Sequence, residues 1–222
     1  VAGGWKKRNE QYGRRVFAPG LAIIITGMAG SDKLPMAILL AAGAGSRFGG
    51  GKLLHPLEDG VAIAAHAARN LISAGLEVTA VVRPGDFPLA ELLEQEGCSV
   101  TVCPDAAQGM GVSLAHGVRM THDAAGWIVA LADMPRIRPE TIARVAQVLM
   151  AGADIVAPSC QGDRGHPVAF SRRFLHELQL MAGDSGARAI VQRNQAMVKL
   201  VETDDAGVLH DIDRRSDLER SA

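Results

Sequence analysis

Aromatic residues make up only 4% of this 222-residue chain. Stacking surfaces for bases are therefore scarce, which argues against a single-strand nucleic-acid module. The charges nearly cancel, with 23 Lys+Arg against 24 Asp+Glu, so bulk charge does not draw the chain to nucleic acid either. The apolar runs all fall well short of the roughly 18 residues a membrane-spanning helix needs, and no such helix is expected. Cysteine is sparse: Cys98, Cys103 and Cys160 are odd in number and form no C-x-x-C pair. That argues against a disulfide framework or a structural zinc site. The thiols read as buried or neutral, and the compartment as a reducing cytoplasm. His55, His66, His116, His122, His176 and His210 show no zinc spacing and read as structural or surface residues.

Small residues are abundant, with 25 glycines and many alanines, and they suit close helix–sheet packing and tight ligand loops. Residues 1–35 are basic. Arg14-Arg15 ahead of Leu21–Thr26 faintly imitates a twin-arginine export signal, but Pro19-Gly20 interrupts the approach. This stretch reads as a non-catalytic extension, and the domain proper as residues 36–222.

From Met36 the pattern becomes regular. Strands are expected at Ala37–Ala42, Val78–Val82, Val100–Val102, Ile128–Ala132, Ile155–Ala157, Val168–Phe170, Met197–Val201 and Val208–Ile212, with the first and the Ile128–Ala132 run looking buried. Between them, helical spacing predicts helices over Val61–Ser73, Leu89–Gln95, Val112–Met120, Pro139–Met150, Arg172–Met181 and Ser185–Arg193, the last capped by Asp184, with a short one over Ser216–Arg220. Strands alternating with helices imply an α/β fold with a mainly parallel sheet. Ligands bind such sheets beyond the carboxyl ends of the strands. Attention therefore falls on the loops after the strands at Ala37, Ile128 and Val208.

The loop after the first of these strands is Gly43-Ala-Gly-Ser-Arg-Phe-Gly-Gly-Gly-Lys52. It fails the dinucleotide fingerprint, because Phe48 stands where the last glycine belongs. It fails the Walker A pattern, because Ser46 and Leu53 stand where Gly and Ser/Thr belong. The logic of an anion cradle still holds. Glycines admit backbone N–H groups to an anion, Arg47 offers paired donors, and Lys52 offers a point charge.

Leu40-Ala-Ala-Gly-Ala-Gly-Ser-Arg-Phe-Gly-Gly-Gly-Lys-Leu-Leu54 resembles the signature loop of the nucleotidyltransferase superfamily. Later segments narrow the likeness to the MobA-like molybdenum cofactor nucleotidyltransferases, and within them to the cytidylyl-transferring, MocA-like branch. The resemblance covers residues 36 to about 220. It implies a Rossmann-like, three-layer nucleotidyltransferase (GT-A-like) fold with a mainly parallel mixed sheet. It also assigns Leu40, Ala41, Ala42, Gly43, Gly45, Arg47 and Lys52 to the nucleotide.

Asp133 follows its strand within Leu-Ala-Asp-Met-Pro135, where a carboxylate can project into the ligand crevice, although Asp is common in plain turns too. The resemblance makes it a Mg²⁺ ligand. Oxygen donors suit that ion, which commonly takes one or two carboxylates plus substrate phosphates. Asp211-Ile-Asp213 resembles the family's terminal D-I-D segment. As a strand it would put both carboxylates on one face, with Asp213 the better second ligand and Asp211 the weaker. Arg214-Arg215-Ser216 departs from the family's T-P-E here, and a solvated charged turn is the alternative reading.

Gln108-Gly-Met-Gly-Val-Ser113 enters a helix and resembles the family's Q-G-x-G-x-S segment, which assigns Gln108, Gly111 and Ser113 to the nucleotide. Ser113 as a local cap is the bland alternative. Gly165-His-Pro-Val-Ala-Phe170 resembles the G-H-P-V-x-F segment of the cytidylyl branch. His166, extended before Pro167, could present its ring to an acceptor, or be an ordinary hydrogen-bonded histidine. Gly183-Asp-Ser-Gly-Ala-Arg188 resembles an acceptor loop, which gives Asp184 and Arg188 to the acceptor phosphate.

The implied activity is transfer of CMP from CTP to the terminal phosphate of molybdopterin, with Mg²⁺ as cofactor and a molybdoenzyme as downstream client. Arg47, Lys52 and Asp133 would carry the chemistry. Guanylyl relatives have L-A-G-G where this chain has Leu-Ala-Ala-Gly43, and a methyl at Ala42 crowds a purine more than a pyrimidine. The competing readings are a guanylyltransferase, a sugar-phosphate nucleotidyltransferase, and a non-catalytic cofactor-delivery factor. A dinucleotide-dependent oxidoreductase is disfavoured by the failed fingerprint.

Overall fold

A computed structural model describes residues 34–218 of the chain. The extension expected over residues 1–35 lies outside the described residues except at its last two positions. The order is β1 (Met36–Leu40), α1 (Ile63–Ser73), β2 (Val78–Val82), α2 (Phe87–Gln95), β3 (Ser99–Val102), α3 (Met110–Met120) and β4 (Gly126–Leu131). Then follow α4 (Pro139–Met150), β5 (Ile155–Cys160), β6 (Asp163–Arg164), β7 (Val168–Ser171), α5 (Leu175–Gln179), α6 (Arg188–Arg193) and β8 (Val198–Glu202).

The strands form one sheet in the order β3-β2-β1-β4-β7-β5-β6, with β8 paired to β5. The β3-β2-β1-β4 half is parallel. β7 runs antiparallel to both β4 and β5, and β8 returns parallel to β5. This is the α/β architecture expected from the alternation of strands and helices, with the mixed sheet that the resemblance implies. It brings the carboxyl ends of β1, β2, β3 and β4 to one edge, where the glycine-rich loop and Asp133 lie.

β1 reads as a continuous apolar run because both of its faces are covered: Ala37, Ile38 and Leu39 have no exposed surface. On one face Ile38, Val81, Trp127 and Phe170 meet Leu114 and Val118 of α3, Leu178 of α5 and Ile190 of α6. On the other, Ile128, Val156 and Ala169 meet Val145 and Leu149 of α4. Burying one such large side chain is worth roughly 1.5–3 kcal/mol. Trp127 keeps its polar end satisfied, its Nε1 donating to Thr121 Oγ1 at 3.0 Å. The expected close packing is visible at Gly117 of α3, where an added Cβ would stand 2.9 Å from Ile38 Cγ2.

Helix boundaries follow local chemistry. α1 ends where Gly75 takes a left-handed φ of 85° and donates to the Ile72 carbonyl. α4 starts at Pro139, whose missing N–H costs nothing in a first turn. Several expectations need correction. Arg172–Met181 is a 3₁₀ turn, Arg172–Phe174, followed by the short α5. The next helix begins at Arg188 with Ala187 as its N-cap, so Asp184 does not cap it. Val208–Ile212 is not a strand: Ala206–Leu209 forms a 3₁₀ turn, held because Asp205 accepts from the Gly207 and Arg138 amides. The closing helix reduces, among the described residues, to a 3₁₀ turn at Arg215–Asp217. All three cysteines are buried and free; burial pushes the Cys98 thiol up to about 12.

Candidate active site

The glycine-rich loop leaves β1 and folds as two 3₁₀ turns, Ser46–Phe48 and Lys52–Leu54. Gly45, Gly49, Gly50 and Gly51 all have positive φ, between 60° and 94°, a path that L side chains resist. The loop is anchored: Phe48 is buried and meets His55 edge-on at 5.2 Å, and the Gly45 carbonyl accepts from Phe48 and Gly50. Leu40 and Ala41 are buried, so what they offer a ligand is backbone; Ala42 is half-buried and Gly43 exposed.

The second turn places Lys52 against the acidic residues. Its Nζ lies 2.6 Å from Asp133 Oδ2 and 3.4 Å from Asp213 Oδ1. Arg47 Nη1 reaches Asp213 Oδ2 at 2.8 Å from the solvent side. The segment that carries Asp211 and Asp213 is not a strand, and it delivers both carboxylates by a different device. Ile212 N–H donates to the Asp133 carbonyl at 2.9 Å, and this single backbone bond sets Asp211 and Asp213 beside Asp133. The Asp217 carboxylate then accepts from the Asp213 and Arg214 amides and fixes the turn.

Asp133, Asp211 and Asp213 each offer a carboxylate oxygen within 4.8 Å of the others. Burial pushes Asp213 up, but the hydrogen bond from Arg47 and the charge of Lys52 outweigh it and hold its carboxyl below the usual range. Asp133 Oδ1 is buried and has no hydrogen-bond partner. A cluster of carboxylate oxygens with one orphaned buried acceptor fits a hard divalent cation.

One residue escaped the sequence reading. Arg83, directly after β2, joins Gly43, Gly45, Lys52, Asp86 and Leu89 around a cavity of about 50 Å³ beside the loop. Its Nε donates to Asp86 Oδ2 at 3.2 Å. The signal was available: the carboxyl end of β2 lies on the same edge as those of β1 and β4. Arg83-Pro84-Gly85 reads more readily as a strand stop.

The Gln108 segment and the Gly183 segment come together. Gly111 N–H donates to the Gly183 carbonyl at 2.7 Å, so an amide in the first turn of α3 is already engaged. Gly109, not Ser113, is the N-cap of α3; Ser113 is buried within the helix. The Gln108 side chain is turned to Asp105 Oδ1 at 3.0 Å. Asp184 and Arg188 are exposed on the neighbouring loop and helix start. His166 is half-buried after Gly165, its peptide to Pro167 is cis, and its Nδ1 is buried without a partner. Burial pushes its imidazole below the ordinary range, and Asp133 and Asp211 pull the other way.

The pattern of the MobA-like NTP transferase domain matches residues 37–198. The purine catabolism protein PucB of Bacillus subtilis is 30% identical over 189 residues, 80% of this chain and 91% of PucB. Nicotine blue oxidoreductase of Paenarthrobacter nicotinovorans is 28% identical over 83% of this chain and 95% of its own length. The crystal structure of Rv0371c from Mycobacterium tuberculosis superposes with a TM-score of 0.74 at 26% identity, covering 84% of this chain and 97% of that one. A manganese complex of the same mycobacterial protein superposes with a TM-score of 0.67 at 23% identity, covering 78% and 89%.

Proposed function

The chain belongs to the MobA-like NTP transferase family, and from that premise we propose that it transfers CMP from CTP to the terminal phosphate of molybdopterin, releasing pyrophosphate. The observation that carries this reading is the Arg47–Asp213–Lys52–Asp133 constellation at the carboxyl ends of β1 and β4. It joins two cations from the glycine-rich loop to carboxylates suited to a metal.

In this reading an acceptor phosphate oxygen attacks the α-phosphorus of the nucleotide. A new P–O bond forms, the α–β bridging bond breaks, and pyrophosphate leaves with the electron pair. The attacking phosphate is already an anion at neutral pH, so no strong general base is needed. The work is positioning and charge neutralisation. Asp133 and Asp213, with Asp211 beside them, would hold Mg²⁺, which supplies positive charge at the phosphates when bound. Arg47 and Lys52 hold triphosphate oxygens, and Arg83 adds a third cation beside the loop glycines. In this reading Gln108 and Gly111 serve the nucleotide, with Ser113 buried in the helix behind them. His166, Asp184 and Arg188 serve the acceptor. The manganese bound by the mycobacterial protein supports a divalent cation in this fold.

Ala42 favours a pyrimidine base. Guanylyl transfer, a sugar-phosphate acceptor and a non-catalytic cofactor carrier are the competing outcomes. The name of the 28% identical relative raises a redox reading. Phe48 in place of the fingerprint glycine speaks against a nicotinamide dinucleotide on this loop.

The test is pyrophosphate release by the full chain with molybdenum-loaded molybdopterin and Mg²⁺, supplying CTP, GTP, UTP and ATP separately. Release with CTP alone supports the reading, and release with GTP overturns the base assignment. No release with any nucleotide favours a carrier. In the same assay Asp133→Asn is expected to lower turnover about a hundredfold or more; near-normal turnover removes Asp133 from the metal site.

A further inference from the structure

Lys52 stands where a cation would stand. Its side chain is only 9% exposed, and its ammonium bridges Asp133 and Asp213 at 2.6 Å and 3.4 Å. Those two residues belong to the carboxylate cluster whose oxygens converge within 4.8 Å. An ammonium and a divalent cation there compete for the same carboxylates and repel one another.

We propose that Lys52 is a built-in counter-ion that closes the Asp133–Asp211–Asp213 site to a divalent cation until a triphosphate draws it away. The nucleotide half of this inference rests on the transferase reading above; the competition with the cation rests on the geometry alone.

The two ends of the exchange are unequal. Asp213 also accepts from Arg47, so it keeps a partner when Lys52 leaves. Among the described residues, Lys52 is the side-chain partner of Asp133, and Asp133 Oδ1 already has none. Withdrawal of the lysine leaves a carboxylate with neither oxygen satisfied, which is costly in a partly buried position. Something positive must take its place as it goes. The destination is also in view. Lys52 lines the cavity formed by Gly43, Ala44, Gly45 and Gly51. Its flexible four-carbon stem allows the ammonium to turn from the carboxylates toward an anion on those glycines. The same side chain thus answers either to the acids or to a phosphate. Departure for the phosphate and arrival of the cation become one linked event.

The experiment is a Mn²⁺ titration of the full chain by electron paramagnetic resonance, without nucleotide. Lys52→Met is expected to bind Mn²⁺ at least about tenfold more tightly than the wild type. Arg47→Met removes the same charge from the same cluster without vacating Asp133, and is expected to shift the affinity far less. Equal shifts in the two variants, or no tightening in Lys52→Met, overturn the proposal. A measurement on the unaltered protein keeps the question decidable should the variant not fold. Acetylation of Lys52 by acetic anhydride, read by mass spectrometry, is expected to be slow in the free chain and several-fold faster with saturating Mn²⁺. Unchanged reactivity overturns the exchange. Neither readout uses turnover. Tightening without pyrophosphate release upholds the competition and removes the transferase reading, while release without tightening does the reverse.

Discussion

The guanidinium carbon of Arg215 lies 5.3 Å from the ring centroid of Phe48. This contact ties the C-terminal turn to the glycine-rich loop, beside the Arg47–Asp213 ion pair that joins the same two segments. It arises at the position where the sequence departs from its family's T-P-E. The departure does not undo the acidic site. Asp217 still accepts from the Asp213 and Arg214 amides, and the arginine gains a role as a clasp on the loop.

Arg215→Met should therefore loosen the loop without unfolding the domain. A cation–π contact at an exposed site is worth about 0.5–1 kcal/mol. The expected result is a nucleotide KM raised about two- to fivefold, with kcat nearly unchanged and Tm lowered by about one to four degrees. Steady-state kinetics beside a thermal melt checks this. A fall in kcat with no change in KM would assign Arg215 to the chemistry instead.

Gly111→Ala tests the contact between the Gln108 and Gly183 segments. An added Cβ would stand 2.7 Å from the Ala182 carbonyl oxygen and 2.9 Å from that of Gly183. Both are backbone atoms, so the 182–183 segment must move. The expected cost is about 1–3 kcal/mol of stability, the range for overpacking, measured by urea denaturation. Gly43→Ala meets nothing within 4 Å and serves as the neutral control for stability.

The pH dependence of stability has a definite sign at His116. Burial lowers its pKa from 6.5, with Arg119 adding to the effect. The unfolded chain then takes up a proton more readily than the folded one. Stability is fully present above about 6.5 and falls as pH drops below it, until the folded imidazole also titrates. His116→Gln, which can still hydrogen-bond Thr101 Oγ1 (2.8 Å from Nε2 in the structure), should flatten the decline in Tm between pH 7 and pH 5. An unchanged decline would place its source elsewhere.

Much of the fold was legible because buried parallel strands are written as short apolar runs. Val78–Val82 and Pro139–Met150 lie where the pattern put them. Val208–Ile212 carried the same apolar look for a different reason. Val208 and Ile212 are buried against neighbours outside any ladder, Val208 through a carbonyl that accepts from the His166 amide. A side-chain pattern cannot separate those two ways of being buried. The site was legible as types of residue, and its connections were not. Arg47, Lys52, Asp133 and Asp213 were all nameable, but the bond between Lys52 and Asp133 spans 81 positions and has no local signal. Arg83 was hidden by its own neighbours, because a proline and a glycine after a strand explain a turn without invoking a ligand.

The bond from Ile212 N–H to the Asp133 carbonyl joins two residues that are synthesised at different times. Asp133 leaves the ribosome long before Asp213, which lies 161 residues beyond Lys52. For that interval, of the two carboxylates that Lys52 meets in the folded chain, only Asp133 has been made, and β1 to β4 are complete while the acidic cluster is not. A chain stalled before residue 205 would hold most of its core while lacking two of its three clustered carboxylates. The three-carboxylate cluster would then be complete only once residues 211–213 had been made.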